Sequence, residues 1–200
     1  MAFDYMSPKL RERLKNQRAS SYDEKIASVR NAVNSFSASF PDRKIRIADL
    51  GCGEDPLFEG SDNVDIYPAK GCVVADLNKE MPLKENTYDV VLAIDVIEHL
   101  YDVDTFVKNC HKILRTGGLL IVSTPNVLYW RNRIELFLGS DRHFDHEGEH
   151  LHFFSFRSLL KLLKKHGFEE TPKTIIPIGV SKLIPSMAGG FIAVVRKAKQ

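Results

Sequence analysis

Apolar positions follow two different rhythms along this chain. Over the first forty residues they sit at helical spacing. From residue 44 they come in short, unbroken, β-branched runs that end on Gly, Asp, Asn or Pro. Residues 7–18 predict a short basic helix: Ser7 can cap it, Pro8 suits its first position, and Lys9, Arg11, Arg13, Lys15 and Arg18 spread over most of its faces. Such a spread marks a solvated helix before it marks an anion site. A second helix is predicted from the capping box Ser21-Tyr22-Asp23-Glu24, with Ile26, Val29, Val33 and Phe36 on one side.

The later runs predict strands at 45–50, 64–67, 72–75, 88–94 and 118–123, and two more near 173–179 and 190–196. Between them Val103–Leu114 reads as a helix carrying Phe106, Val107, Cys110, Ile113 and Leu114 on one side, stopped by Gly117-Gly118. A further helix over about 155–166 carries Leu159, Leu160, Leu162 and Leu163 and ends at His166-Gly167. Strands that alternate with helices predict an α/β fold with a mostly parallel sheet and helices on both faces. Continuous apolar runs such as Tyr88–Ile94 suit strands buried on both sides.

Composition narrows this picture. A chain of 200 residues with 44% hydrophobic and 27% charged residues has the make-up of one ordinary globular domain. Twenty-eight basic residues against 26 acidic ones leave a net charge of +2, too weak a field to argue for nucleic acid. No apolar run approaches a spanning helix, and Met1–Tyr5 has no basic region followed by an apolar one, so a cytoplasmic protein is expected. Cys52, Cys72 and Cys110 are odd in number and widely spaced, which offers neither a disulfide framework nor a paired zinc motif.

The strongest local signal is Ile45-Arg46-Ile47-Ala48-Asp49-Leu50-Gly51-Cys52-Gly53, an apolar strand that runs into two glycines able to let backbone approach a ligand. A dinucleotide fingerprint needs a third glycine at position 56, where Pro56 stands, and a Walker phosphate loop is missing too. Asp65 follows at the next strand end, where a carboxylate can accept from both hydroxyls of a ribose. Asp76 follows at the third, where it could accept from an adenine amino group. One aspartate at a strand end is commonplace. Three in succession beside a glycine turn mark the crevice in which open α/β sheets bind ligands.

Over residues 44–170 the chain resembles the class I S-adenosylmethionine-dependent methyltransferases, in their type 11-like small-molecule branch. Asp49-Leu50-Gly51-Cys52-Gly53 matches the first motif, Asp65 the ribose-binding acid, and Asp76-Leu77 the adenine-side motif. Asn86-Thr87-Tyr88-Asp89-Val90-Val91, Val96-Ile97-Glu98-His99-Leu100, Leu114-Arg115-Thr116-Gly117-Gly118 with Thr124-Pro125-Asn126, His152-Phe153-Phe154-Ser155 and His166-Gly167-Phe168 continue the match in order. The resemblance implies a Rossmann-like, mostly parallel seven-stranded sheet, S-adenosylmethionine as cofactor, and Asp49, Gly51, Cys52, Gly53, Asp65, Ile66, Asp76, Leu77 and Ile94 as the residues that hold it. One departure is the stretch Glu54–Gly60, too short for the usual first helix and read as a loop. It favours the alternative of a binding module without turnover.

Transfer to oxygen would need a base or a metal. Two constellations could serve. Asp95-x-x-Glu98-His99 resembles a metal-binding triplet of ubiquinone-biosynthesis O-methyltransferases, against the plainer reading that Glu98-His99 opens the next helix with His99 packed near the cofactor. The run Asp141–His152 holds four histidines and four carboxylates, which fits a mobile substrate loop or a solvated loop better than a metal site; His152 is its chief candidate. His99 and His152 are therefore the expected catalytic residues, and no metal is assigned. The Asn/Asp-Pro-Pro-aromatic signature of amino methyltransferases is absent at Ala93-Ile94-Asp95-Val96, which lowers nucleic acid and protein as acceptors. A single domain over 1–200 is expected, with N-terminal helices in 1–40 and a substrate-side insertion in 127–155, where Arg131 or Arg133 could meet an anionic small-molecule acceptor. Cys52 reads as a small turn residue rather than a nucleophile.

Overall fold

The computed structural model describes residues 8–54, 56–140, 150–179 and 188–199, with side chains from residue 20 onward. Helix α1 (Pro8–Ser37) is one element of 30 residues where the sequence predicts two. After Pro8 no Gly or Pro interrupts it, so the backbone bonds run straight through Ser20 and Ser21 and the capping signature is absorbed mid-helix at small propensity cost. Val29, Val33 and Phe36 form its buried stripe, against Val90, Leu92, Ile121, Ile178 and Ile192 on one face of the sheet.

The opposite face is covered by α2 (Val103–Ile113) and α4 (Phe156–Lys165). Asp102 caps the first by accepting from the Thr105 amide, and Ser155 with Ser158 builds a reciprocal capping box on the second. Phe106, Val107, Leu159 and Leu163 then pack on Val91, Ala93, Leu120 and Val122. Val90 and Leu92 go to one face and Val91 and Ala93 to the other, the period of two that a central strand buried on both sides requires. Helix α3 (Trp130–Phe137) lies in the predicted insertion and buries none of its residues.

Seven strands form one sheet: β1 (Ile47–Leu50), β2 (Asp62–Asp65), β3 (Cys72–Val74), β4 (Tyr88–Ile94), β5 (Leu114–Pro125), β6 (Phe168–Ile178) and β7 (Gly190–Lys197). Their order is β3-β2-β1-β4-β5-β7-β6, parallel except that β7 runs antiparallel to both neighbours. Three boundaries differ from expectation. Strand β2 begins at Asp62, so Asp65 ends it and Ile66 falls outside, 58% exposed. Strand β5 begins at Leu114, directly after α2, and the expected stop at Gly117-Gly118 is instead an irregularity in its pairing with β4 between Tyr88 and Val90. Strand β6 starts at Phe168, with a similar irregularity between Glu170 and Ile175 that hides its alternation in the sequence.

Strand order reverses between β1 and β4, and the carboxyl ends of those two strands flank the crevice where such sheets bind ligands. The β1–β2 connection reaches a parallel register, Ala48 opposite Asp62, with no helix among its described residues.

Candidate active site at the carboxyl edge of the sheet

The glycine turn after β1 is held by its own backbone. Gly51 has φ +72 and its amide donates to Val64 O at 2.7 Å; a Cβ there would lie 2.3 Å from Val96 Cγ2, so no side chain fits. Gly53 has φ +61, and the space beside it is open. Its amide donates to Asp65 Oδ2 at 2.9 Å, while Asp65 Oδ1 accepts from the Tyr67 amide at 3.0 Å. Asp65 is 8% exposed, yet each carboxylate oxygen keeps a lone pair, because two amides occupy only part of its accepting capacity. Asp49 has a different task. It is buried inside β1 and accepts from the Leu57 amide at 3.0 Å, which fastens the short crossover; burial pushes its carboxyl above the usual range, and the Asp65 charge adds to that.

The adenine-side motif is a compact turn. Asp76 Oδ1 accepts from the Asn78 amide and side chain at 3.0 and 2.9 Å, and these bonds hold its carboxyl below the ordinary range. Asn78 in turn accepts from the Tyr101 and Asp102 amides at 2.7 and 3.2 Å, so the turn after β3 is tied to the start of α2. Leu77 is buried in the core. Ile66 and the neighbouring Tyr67 are exposed, and Ile94 ends β4 half-buried.

At the end of β4 the chain turns through Asp95, which has φ +55. Ser123 holds this residue closely: its hydroxyl donates to Asp95 Oδ1 at 2.7 Å, and the Asp95 amide donates to the Ser123 hydroxyl at 3.0 Å and to Ser123 O at 3.1 Å. Lys25 of α1 pairs with the Asp95 carboxylate across 70 positions of sequence. A single 3-10 turn, Ile97–His99, follows, so Glu98 and His99 do not open a longer helix. Glu98 is 1% exposed, and among the described residues neither its carboxylate oxygens nor the buried Thr124 hydroxyl has a hydrogen-bond partner. Burial pushes this carboxyl up to about 7, and the Asp95 charge acts in the same direction.

The backbone of this turn receives the segment behind it: Glu98 O accepts from the Leu151 and His152 amides at 2.8 and 3.0 Å. His150 thereby meets His99 edge-on with ring centroids 4.9 Å apart, and His152 stacks on Phe154 at 5.9 Å. Donor atoms of Glu98, His99 and His150 lie within 4.8 Å of one another, a grouping that could hold a metal ion. The triplet read from sequence does not gather as such, because Asp95 is turned to Lys25 and Ser123. His143 and His146 lie outside the described residues. Arg131 and Arg133 are on the exposed α3. Lys25 and Ser123 carry no motif signal and become visible only when α1 and β5 converge, whereas His150 belongs to the histidine run of 141–152 and is brought to His99 by the segment before α4.

A family model for a methyltransferase domain matches residues 22–172. The chain belongs to this family, and its sheet is that of the class I, S-adenosylmethionine-dependent members. A ubiquinone biosynthesis O-methyltransferase of Mesorhizobium japonicum is 32% identical over 110 residues, covering 44% of this chain and 44% of that protein. The chain thus matches under half the length of that relative. Among solved structures, magnesium protoporphyrin IX methyltransferase from Synechocystis, with bound SAH, superposes with a TM-score of 0.63 at 15% identity, over 92% of this chain and 86% of that one. A SAM-dependent methyltransferase from Archaeoglobus fulgidus gives 0.61 at 16% identity, over 88% and 94%. At these identities the likeness is one of fold.

Proposed function

We propose that the protein methylates an oxygen atom of a small molecule, in the cytoplasm, using S-adenosylmethionine. The observation that carries the cofactor reading is Asp65: a buried carboxylate at the end of β2, aligned by the Gly53 amide, with open space beside Gly53 and lone pairs left for two ribose hydroxyls. Gly51, Cys52 and Gly53 would bring main chain close to the ligand, Asp76 and Leu77 would take its adenine side, and Ile66 and Ile94 would flank it. Asp49 acts from behind by fixing the crossover. When bound, S-adenosylmethionine supplies an electrophilic methyl group on sulfur.

The chain's own part is to align the acceptor and to take up its proton, and general-base help of this kind contributes about 10²–10⁴-fold. Glu98 has the placement for it, buried at the carboxyl end of β4 beside His99, His150 and Thr124. A buried carboxylate is a stronger base than a solvated one. His99 and His152 would orient the acceptor or relay that proton to solvent. The O-methyltransferase relative supports oxygen as the atom, and the insertion over 127–155 would select the acceptor. The Gly53–Asp65 contact is intact despite the short crossover, and the named methyltransferase relatives support turnover over a module without it.

Incubation with S-adenosylmethionine labelled in its methyl group and a panel of phenols and hydroxy acids tests the reading. Label on an acceptor oxygen, lost in Glu98→Gln, is the expected result. Label on nitrogen or carbon alone would overturn the choice of atom.

A further inference from the structure

Cys52 lies between the two glycines that close β1, and Cys72 opens β3, yet their Sγ atoms are 3.5 Å apart. Strand β2 sits between them in the sheet and ends in Asp65. Both thiols are partly exposed, unlike Cys110, which is sealed in the core. A sulfur–sulfur bond is about 2.05 Å long, so the pair needs to close by roughly 1.5 Å. Gly51 and Gly53, at φ +72 and +61, are flanks that can supply the movement.

We propose that Cys52 and Cys72 are a redox modification site: a low-molecular-weight disulfide oxidises them to an intramolecular disulfide that fixes the glycine turn to β3 and closes the cofactor cradle. The effect on the cradle rests on the cofactor reading above; the bond itself does not. Cys72 thiolate attacks one sulfur of the small disulfide. That S–S bond breaks, and its electron pair departs on the first small thiolate. Cys52 then gives its proton to solvent and attacks the Cys72 sulfur, and the second small thiolate leaves and is protonated. Two protein thiols are oxidised and one small disulfide is reduced to two thiols, so atoms and electrons balance.

The order follows from the surroundings. Burial, the hydrogen bond with Cys72, and the charges of Asp49 and Asp65 push the Cys52 thiol up to about 12, so Cys52 is the poorer first nucleophile. Capping Cys72 removes that partner's share of the rise, and Cys52, already 3.5 Å away, is the thiol placed for the second step. Pulling Cys52 toward β3 displaces the adjoining Gly53 amide, the group that aligns Asp65. Bond formation and cofactor binding are thereby linked, and linkage of this kind commonly spans about 5- to 150-fold in affinity.

The test uses glutathione disulfide as oxidant and S-adenosylhomocysteine as probe. Reduced protein is titrated calorimetrically, oxidised, digested for mass spectrometry, titrated again, and titrated once more after dithiothreitol. The expected result is a Cys52–Cys72 linked peptide, loss of both thiols to alkylation, and affinity lowered at least about tenfold and restored by reductant. Cys72→Ser binds the probe as the reduced wild type does and is unmoved by oxidant. Persistent alkylation of both thiols overturns the site, and a linked peptide with unchanged affinity overturns its effect. An equal loss in oxidised Cys72→Ser would do the same. If reduced wild type takes no probe, the cofactor reading falls, while the linked peptide still decides the pair.

Discussion

Two buried carboxylates stand at opposite ends of β4 and have been treated in opposite ways. Asp89, at the amino end, is 2% exposed and accepts from the Arg43 guanidinium through both oxygens at 2.9 Å, from Arg115 at 3.1 Å and from the Arg46 amide at 2.9 Å. Burial works to raise its carboxyl, but these donors outweigh burial and hold it below the ordinary range. Glu98, just beyond the carboxyl end, is as deeply buried and has no hydrogen-bond partner for its carboxylate oxygens among the described residues, so burial, joined by the Asp95 charge, outweighs the weaker pull of its own amide, Thr124 and His99 and lifts it to about 7. A fold that can saturate a buried charge with two arginines at one edge has left another without such partners at the carboxyl edge. The first arrangement stabilises the domain. The second costs stability and yields a group that exchanges a proton near neutral pH.

The comparison is tested most strongly by removing the first carboxylate. Asp89→Asn breaks a satisfied network and is expected to cost about 2–3 kcal/mol, taken at the modest end because both arginines are partly exposed. The sign with pH is fixed. A carboxylate with a depressed pKa contributes above its unfolded value, and the contribution is lost as pH falls through the lower folded value. Urea denaturation of wild type and variant should therefore converge in acid, and a gap that stays constant would show that charge is not what Asp89 supplies.

Glu98→Gln should show the opposite slope. Between its ordinary 4.5 and about 7, folded Glu98 holds a proton that the unfolded chain has released, so wild-type stability falls as pH rises through that window. The loss from pH 5 to pH 7.5 is roughly 2 kcal/mol, and the Gln variant should lack it. Equal slopes would place Glu98 among ordinary carboxylates.

These two residues also mark how far the sequence could be read. The strands announced themselves because β4 and its neighbours are apolar without a break, and the glycine turn because only glycine tolerates φ +72 against Val96. Asp65 was legible from its place at the end of β2 and Asp76 from its place in the turn after β3. Partners were not. Asp89 looks like part of a strand entry, and nothing in its neighbourhood points to Arg43 or Arg115. Glu98 reads as the start of a helix, whereas a single 3-10 turn buries it and leaves it unsatisfied. The two expected N-terminal helices are one, because a capping signature needs a chain break that Ala19-Ser20-Ser21 does not provide. Pairings between groups 46 or 70 residues apart follow from sheet order and helix placement, which a local pattern does not encode.

A smaller effect separates the two edges again. Lys25 joins α1 to Asp95 in the crevice, where both groups keep some contact with solvent. Lys25→Met is expected to cost about 1 kcal/mol or less in stability, well under Asp89→Asn, and to leave S-adenosylhomocysteine affinity within about twofold. A loss of affinity to match Asp65→Ala would mean that α1 builds part of the cofactor site.

The proposed seat of S-adenosylmethionine at Asp65 is tested by calorimetric titration with S-adenosylhomocysteine. Saturable binding to wild type is expected, with a stability gain of about 2.7 kcal/mol at roughly 100 times Kd, and affinity at least about tenfold weaker in Asp65→Ala. No heat and no thermal shift at millimolar ligand, or equal affinity in the two proteins, would contradict it.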